Sequence, residues 1–199
     1  MTTLEVPDAR LPRWVENFVA RHGEVVDSGS GDRRPGTVHT AADGSWFRIG
    51  SYFGAATRLP DDVPQDWGVL VVRKGGFAVA RMAKDQIVTS KVGRRHVQGR
   101  SKAGGQSQQR FARRRDNQAR AAYEAAAEYA VEHFAGLQGP VVVGGDADAI
   151  REVLTAAPLK KFTTIDGPRD VDEPRRATLE EFVKRTTSWQ VEVENAPGT

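Results

Sequence analysis

Cysteine is absent from the 199 residues, which excludes disulfides and thiolate metal sites. Histidine is nearly absent too: His22, His39 and His133 are scattered and show no metal-ligand spacing. No apolar run approaches the roughly 18 residues of a membrane span. The first residues, Met1-Thr2-Thr3-Leu4-Glu5, lack the basic-then-apolar layout of a signal peptide. No membrane association is therefore expected, and a cytoplasmic location is the default expectation. Acidic side chains are almost missing from one long stretch, residues 91–120, where Asp116 stands alone.

What that stretch does contain is cation. Lys91, Arg94, Arg95, Arg100, Lys102, Arg110, Arg113, Arg114, Arg115 and Arg120 give it a net charge of +9, although the whole chain carries only +3, so the remainder is −6. Solvated helix faces usually mix signs, because i,i+4 pairing favours it. A one-signed cationic element on an acidic body points instead to contact with phosphates. The 39% apolar and 28% charged fractions are those of a soluble globular protein large enough to bury a core, with room for one domain or one domain plus an extension.

Along the chain, residues 10–22 read as an amphipathic helix, with Leu11, Trp14, Val15, Phe18 and Val19 at helical spacing, Pro12 in the first turn and Gly23 at the end. Residues 27–36 read as a loop. Residues 37–40 and 45–49 flank Asp43-Gly44 as a hairpin. Residues 67–73, 77–82 and 86–91 predict an antiparallel meander, with a tight turn at Gly75-Gly76. Residues 92–105 show no periodicity and read as a functional or disordered loop.

From 107 to 134 the pattern is helical, with Ser107 as N-cap. Ala112, Ala119, Tyr123, Ala126, Ala130 and Phe134 step along one face, and Arg110, Arg113, Arg114, Asn117 and Arg120 along another. A short strand at 140–143, a helix near 148–156 capped by Asp146, a strand at 162–165, a final helix at 178–187 opened by a capping-box pattern and an edge strand at 189–193 complete the reading. The expected fold is α/β: a mixed sheet with an antiparallel meander and a long helix, in an order compatible with a ribonuclease H-like topology. Residues 1–65 are expected to form an N-terminal extension of helix plus hairpin, and residues 66–199 the main domain.

At the junction of the basic loop and the long helix stands Gly104-Gly105-Gln106. Glycines let a backbone press close to a substrate. A glutamine amide can orient water and donate an N–H to an oxyanion, but it is not basic near neutral pH. Such a site suits hydrolysis of an ester held on RNA, with the proton acceptor supplied by the substrate, most simply a ribose hydroxyl. Taken alone, the tripeptide reads as a glycine turn ahead of a helix.

Its neighbours add to it. Gly104-Gly105-Gln106-Ser107, Arg110-Phe111, Arg113 and Arg115 resemble the catalytic loop and following helix of the eukaryotic and archaeal class-I translation release factors. The resemblance runs through the meander and through Val141-Val142-Val143-Gly144-Gly145-Asp146-Ala147-Asp148, covering roughly residues 66–185. It implies a catalytic role for Gln106, with Gly104 and Gly105 beside it. Those factors also have a codon-reading domain and a GTPase-binding domain, for which this chain is too short, and residues 1–65 do not resemble the codon reader. The chain is more similar to the stand-alone Vms-like (Vms/ANKZF-type) release factors, in a bacterial branch that the run from Lys91 to Arg100 fits. That resemblance implies codon-independent release of nascent chains from peptidyl-tRNA on stalled ribosomes or large subunits, with no cofactor, no DNA partner and a monomeric protein. Arg94, Arg95, Arg100, Lys102, Arg110, Arg113, Arg114, Arg115 and Arg120 would hold tRNA and ribosomal RNA.

Two other readings stay open at this stage: a non-catalytic ribosome-binding factor, and a nuclease cutting the tRNA 3′ end. A two-metal nuclease needs several converging carboxylates, and the meander strands have only Asp85 beside them, so no metal is expected. Asp146 reads as a helix N-cap rather than half of a metal pair with Asp148. His96 reads as an exposed loop residue. Trp46, Phe47, Tyr52 and Phe53 read as a core hairpin in preference to a base-stacking surface.

Overall fold

The structure, a computed structural model, describes residues 1–30, 37–53, 63–94, 106–168 and 170–197. In chain order its elements are β1 (Thr2–Val6), α1 (Leu11–His22), β2 (Val25–Ser30), β3 (Thr37–Ala41), β4 (Trp46–Gly50), β5 (Trp67–Arg73), β6 (Gly76–Ala83), β7 (Gln86–Arg94), α2 (Gln106–His133), β8 (Val141–Gly145), α3 (Ala147–Leu154), β9 (Thr164–Asp166), α4 (Arg176–Thr186) and β10 (Trp189–Glu194), with a single 3-10 turn at Asp8–Arg10. They form two sheets in a mixed α/β protein.

The chain folds as two units, Met1–Pro64 with Lys184–Thr199, and Gln65–Val183. The first is built on an antiparallel sheet ordered β1-β10-β4-β3-β2. Here the structure departs from the sequence expectation. Residues 189–193 are not an edge strand of the main domain. They lie between β1 and β4, with Val6 opposite Trp189 and Trp46 opposite Glu194. The reason is the alternation of Trp189 and Val191, which needs one apolar face to bury. That face is supplied by Val6, Leu11, Phe18 and Phe47. The first 65 residues are therefore not a separate appendage, because their sheet is completed from the C-terminal segment.

Helix α1 forms where the periodicity placed it. Pro12 sits in its first turn, and Gly23 ends it at φ +88°, donating its N–H to the Val19 carbonyl at 2.9 Å. The β3–β4 hairpin follows the Asp43-Gly44 signal. Its turn is locked by Asp43, whose carboxylate accepts from the Ser45 N–H at 2.8 Å and pairs with buried His22 Nδ1 at 2.8 Å. Phe47 is buried with its ring edge-on to Trp14 and Phe18, as a core aromatic. The loop expected at 27–36 is corrected in its first part: Val25–Ser30 pair with β3 as the outermost strand.

The second unit carries the meander. Its sheet runs β7-β6-β5-β8-β9, antiparallel through the first three strands and parallel from β5 to β9. Strand β5 is buried on both faces from Trp67 to Val72. Its apolar run therefore continues without alternation, as a central strand requires. Ala126 and Ala130 of α2, and Phe134 just past its end, are buried in the core with Phe77, Val79 and Leu70, and Ala122 of the same helix is buried as well. Alanine at these helical steps brings the α2 backbone close to the sheet, and Gly68 does the same from the strand side: a Cβ there would meet Phe134 Cε1 at 2.7 Å.

The far end of α2 is tied down by charge. Arg81 donates to both Asp66 carboxylate oxygens, at 2.9 and 3.1 Å, and from Nη1 to the Ala135 carbonyl at 2.7 Å. A cation beside the carbonyls just past the helix end suits the helix dipole. Burial acts to raise the Asp66 pKa. The hydrogen bonds from Arg81 and from the Gln138 N–H, together with the Arg81 charge, outweigh it and hold the carboxyl below its usual range.

Two local expectations are corrected. Helix α4 starts at Arg176, so Thr178 is not its N-cap; the hydroxyl donates to the Glu173 carbonyl at 2.9 Å. Asp146 does stand at the N-cap of α3, but its side chain does not cap the helix. It accepts the Lys74 N–H across the sheet end at 3.1 Å. Gly145 just before it has φ +104°, and a Cβ there would lie 2.2 Å from the Val72 carbonyl oxygen, so only glycine fits.

Candidate nucleic-acid interface

The basic segment joins two well-anchored elements. Strand β7 ends at Arg94, which is exposed, and α2 begins at Gln106. The two are fastened to each other further along. Thr89 Oγ1 lies 2.8 Å from His133 Nδ1, and Lys91 Nζ lies 4.8 Å from the centre of the Tyr129 ring. Arg176 Nη1 donates to Ser90 Oγ at 2.8 Å, adding a tie to the same strand. The strand that leads into the cationic segment and the helix that leads out of it are therefore held side by side through their distal halves.

Gln106 occupies the first position of a helix of 28 residues with no acidic side chain in its first turn. The unpaired N–H groups of such an end favour an anion. Arg110, Arg113, Arg114 and Arg115 all belong to the same helix, with backbone positions set by it; their side chains, like that of Gln106, lie outside the described residues. Arg120, one turn further, is exposed. Gly104, Gly105, Arg95, Arg100, Lys102 and His96 also fall outside the described residues. What the structure brings together is thus Arg94 at a strand end, Gln106 at a helix start, and the arginines at 110, 113, 114, 115 and 120 along that helix.

The helix changes character midway. From Ala122 onward it is a packing element, and Tyr123 marks the change. Burial raises the pKa of its phenol, and the carboxylates of Asp146, Glu152 and Asp148 raise it further. The acidic body thus lies near this middle stretch, while the cations cluster toward the N-terminal end. Neither Asp146 nor Asp148 is poised for a metal: the first takes the Lys74 N–H and the second pairs with Arg151 at 2.8 Å. Among the described residues no three His, Asp or Glu side chains gather around one point, and no helix is long and apolar enough to cross a membrane.

An archaeal translation termination factor, aRF1, aligns over 93% of this chain and 66% of its own, at 12% identity and a TM-score of 0.35. No curated protein gives a match. The family comparison is decisive, because it covers residues 65–194 and so takes in the meander, the cationic segment and α2. The chain belongs to the actinobacterial and chloroflexi VLRF1 release-factor family.

Proposed function

We propose that this protein is a peptidyl-tRNA hydrolase that frees nascent chains on stalled ribosomes or split large subunits without reading a codon. One observation carries the reading most: the family match contains Gly104-Gly105-Gln106 at the junction of the one strongly cationic segment and α2. The strand order of the second unit fits a ribonuclease H-like core of the kind expected for a release-factor middle domain.

The chemistry follows from the residue types. The ester joins a peptide to a ribose hydroxyl. Gln106 orients the attacking water through its amide and presents an N–H to the developing oxyanion. A neighbouring ribose hydroxyl of the terminal adenosine accepts the proton, because an amide cannot. Gly104 and Gly105 leave room for the backbone in a crowded catalytic centre. Arg94, Arg95, Arg100, Lys102, Arg110, Arg113, Arg114, Arg115 and Arg120 hold tRNA and ribosomal RNA phosphates. No cofactor enters, and the protein acts as a cytoplasmic monomer.

The test uses peptidyl-tRNA on ribosomes and on isolated large subunits, with wild type and Gln106→Ala. Free peptide and intact tRNA from wild type alone are expected. Shortened tRNA would move the assignment to a nuclease. Co-sedimentation of both proteins with no product would leave a ribosome-binding factor and end the hydrolase reading.

A further inference from the structure

The second unit contains a cavity of about 730 Å³ that the hydrolase reading does not use. It lies at the carboxyl ends of the parallel strands. From β5 the chain goes outward through β6 and β7; it then returns to β8 on the opposite side of β5 and continues to β9. Strands β5 and β8 are adjacent parallel strands, and their last residues, Arg73 and Gly145, both border the cavity. In open α/β sheets ligands sit outside the carboxyl ends of the parallel strands. The volume lies within the roughly 300–1,000 Å³ of small-molecule sites.

The lining has two polar sides and an apolar wall. Arg73, Arg151 and Lys160 supply positive charge. Arg73 Nη1 donates to the Val171 carbonyl, while its Nε is buried and makes no hydrogen bond among the described residues; the nearest carboxylates, of Glu173 and Asp146, stand 3.8 and 3.9 Å away. Asp166, at the end of β9, and Asp170 supply carboxylates. Asp170 has φ +57°, a left-handed backbone that a non-glycine residue adopts at some cost and that concentrates at functional sites. Val143, Ile150 and Leu154 form the wall.

A bare anion would use only the cations, and an apolar ligand neither side. We infer that this crevice binds a ribonucleotide unit, its phosphate on Arg151 and Lys160, its ribose hydroxyls on Asp166 and Asp170, and its base along the apolar wall. Arg73 positions the Val171 segment that closes one side. The unit is either a free nucleoside monophosphate or the terminal residue of an RNA strand. The site is separate from Gln106 and independent of the proposed ester hydrolysis.

Calorimetric titration of the full chain with the four ribonucleoside monophosphates, their 2′-deoxy counterparts and inorganic phosphate tests this without ribosomes. At least one ribonucleotide is expected to bind with Kd below about 1 mM. The double variant Arg151→Glu/Lys160→Glu should weaken it about tenfold or more, as should Asp166→Asn, because charge-assisted hydrogen bonds are lost. Neutralising Arg113, Arg114 and Arg115 should leave it unchanged. Arg151, Lys160 and Asp166 are exposed, and circular dichroism checks that the variants remain folded. No binding by any ribonucleotide, equal binding by the variants, equal binding of inorganic phosphate, or equal binding of the deoxy forms would each overturn the inference. Displacement of the bound monophosphate by a short single-stranded RNA identifies an RNA end as the source; retention under saturating RNA identifies a free nucleotide.

Discussion

The sharpest test of how α2 is seated is Gly68→Ala. A methyl group at this position would lie 2.7 and 3.0 Å from two atoms of the Phe134 ring and 3.2 Å from Leu137 Cδ2. Ordinary carbon contacts are about 3.5–4.0 Å. The ring has nowhere to go: Phe134 is 1% exposed and meets Phe162 edge-on with centroids 5.8 Å apart. Overpacking of this kind costs about 1–3 kcal/mol. Against it, replacing glycine by alanine restricts the unfolded chain and is worth about 0.4–1 kcal/mol. The steric term wins, leaving a net loss of about 1–2 kcal/mol and a fall in Tm of roughly 2–8 °C. Urea unfolding followed by the helical circular dichroism signal measures it. The companion Phe134→Leu should relieve the clash, so that the double variant is more stable than the sum of the singles by about 0.5 kcal/mol or more. A Gly68→Ala protein at least as stable as wild type, or strict additivity with Phe134→Leu, would refute this account of the α2–β5 contact.

Other expectations follow from the same geometry. The Asp66 carboxyl is held below its usual range, so its contribution is present above the unfolded pKa of about 3.9 and is lost as pH falls through the lower folded value. The stability gap between wild type and Asp66→Asn, from urea midpoints, should therefore close below about pH 4; a gap that persists at lower pH would mean the aspartate acts through shape rather than charge. Changing Arg113, Arg114 and Arg115 together to Gln should weaken RNA binding and lower the slope of log affinity against log salt by about 2, whereas an unaltered slope would make these arginines structural. Ser45 is fully buried, donates to Asp43 Oδ2 at 3.1 Å and accepts the Ala196 N–H at 2.9 Å. Ser45→Ala should cost about 1–2 kcal/mol in thermal or chemical unfolding, and a change under about 0.5 kcal/mol would show that this hydroxyl is not needed.

Legibility in the sequence followed burial. Helix α1 carries a helical period and strands β5 and β6 bury near-continuous apolar runs, and the boundaries drawn from these patterns lie within a few residues of those observed. Strand β2, Val-Val-Asp-Ser-Gly-Ser, is exposed along its described length and is held by backbone pairing to β3, which leaves no apolar trace to read. Strand β1 leaves little trace for a related reason: only Val6 of its five residues is buried. The alternation of β10 was visible, but its partners, β1 and β4, lie far away in sequence, and alternation says nothing about partner choice. At the candidate site the legible feature was chemical rather than periodic. One-signed charge and the glycine pair before Gln106 mark the start of a helix, but α2 begins at Gln106, so Ser107 is its second residue and not the expected N-cap. The crevice bordered by Arg73 and Gly145 was invisible because its walls come from separated segments that only the sheet order brings together.

The central place of β10 has a consequence for how the protein is made. Trp189 donates its indole N–H to Asp8 across 181 residues of chain, and among the described residues β1 pairs with β10 alone. During synthesis β1 is made well before β10 and stays without this partner until residues 189–194 have been translated. The Gln65–Val183 unit has all of its strands by then and can close within itself, so it is the half able to fold on the ribosome. A factor proposed to rescue stalled ribosomes is thus itself exposed to stalling: a chain arrested before residue 189 would carry the described strands of the Gln65–Val183 unit and a second sheet in which β1 and β4 lack their shared partner.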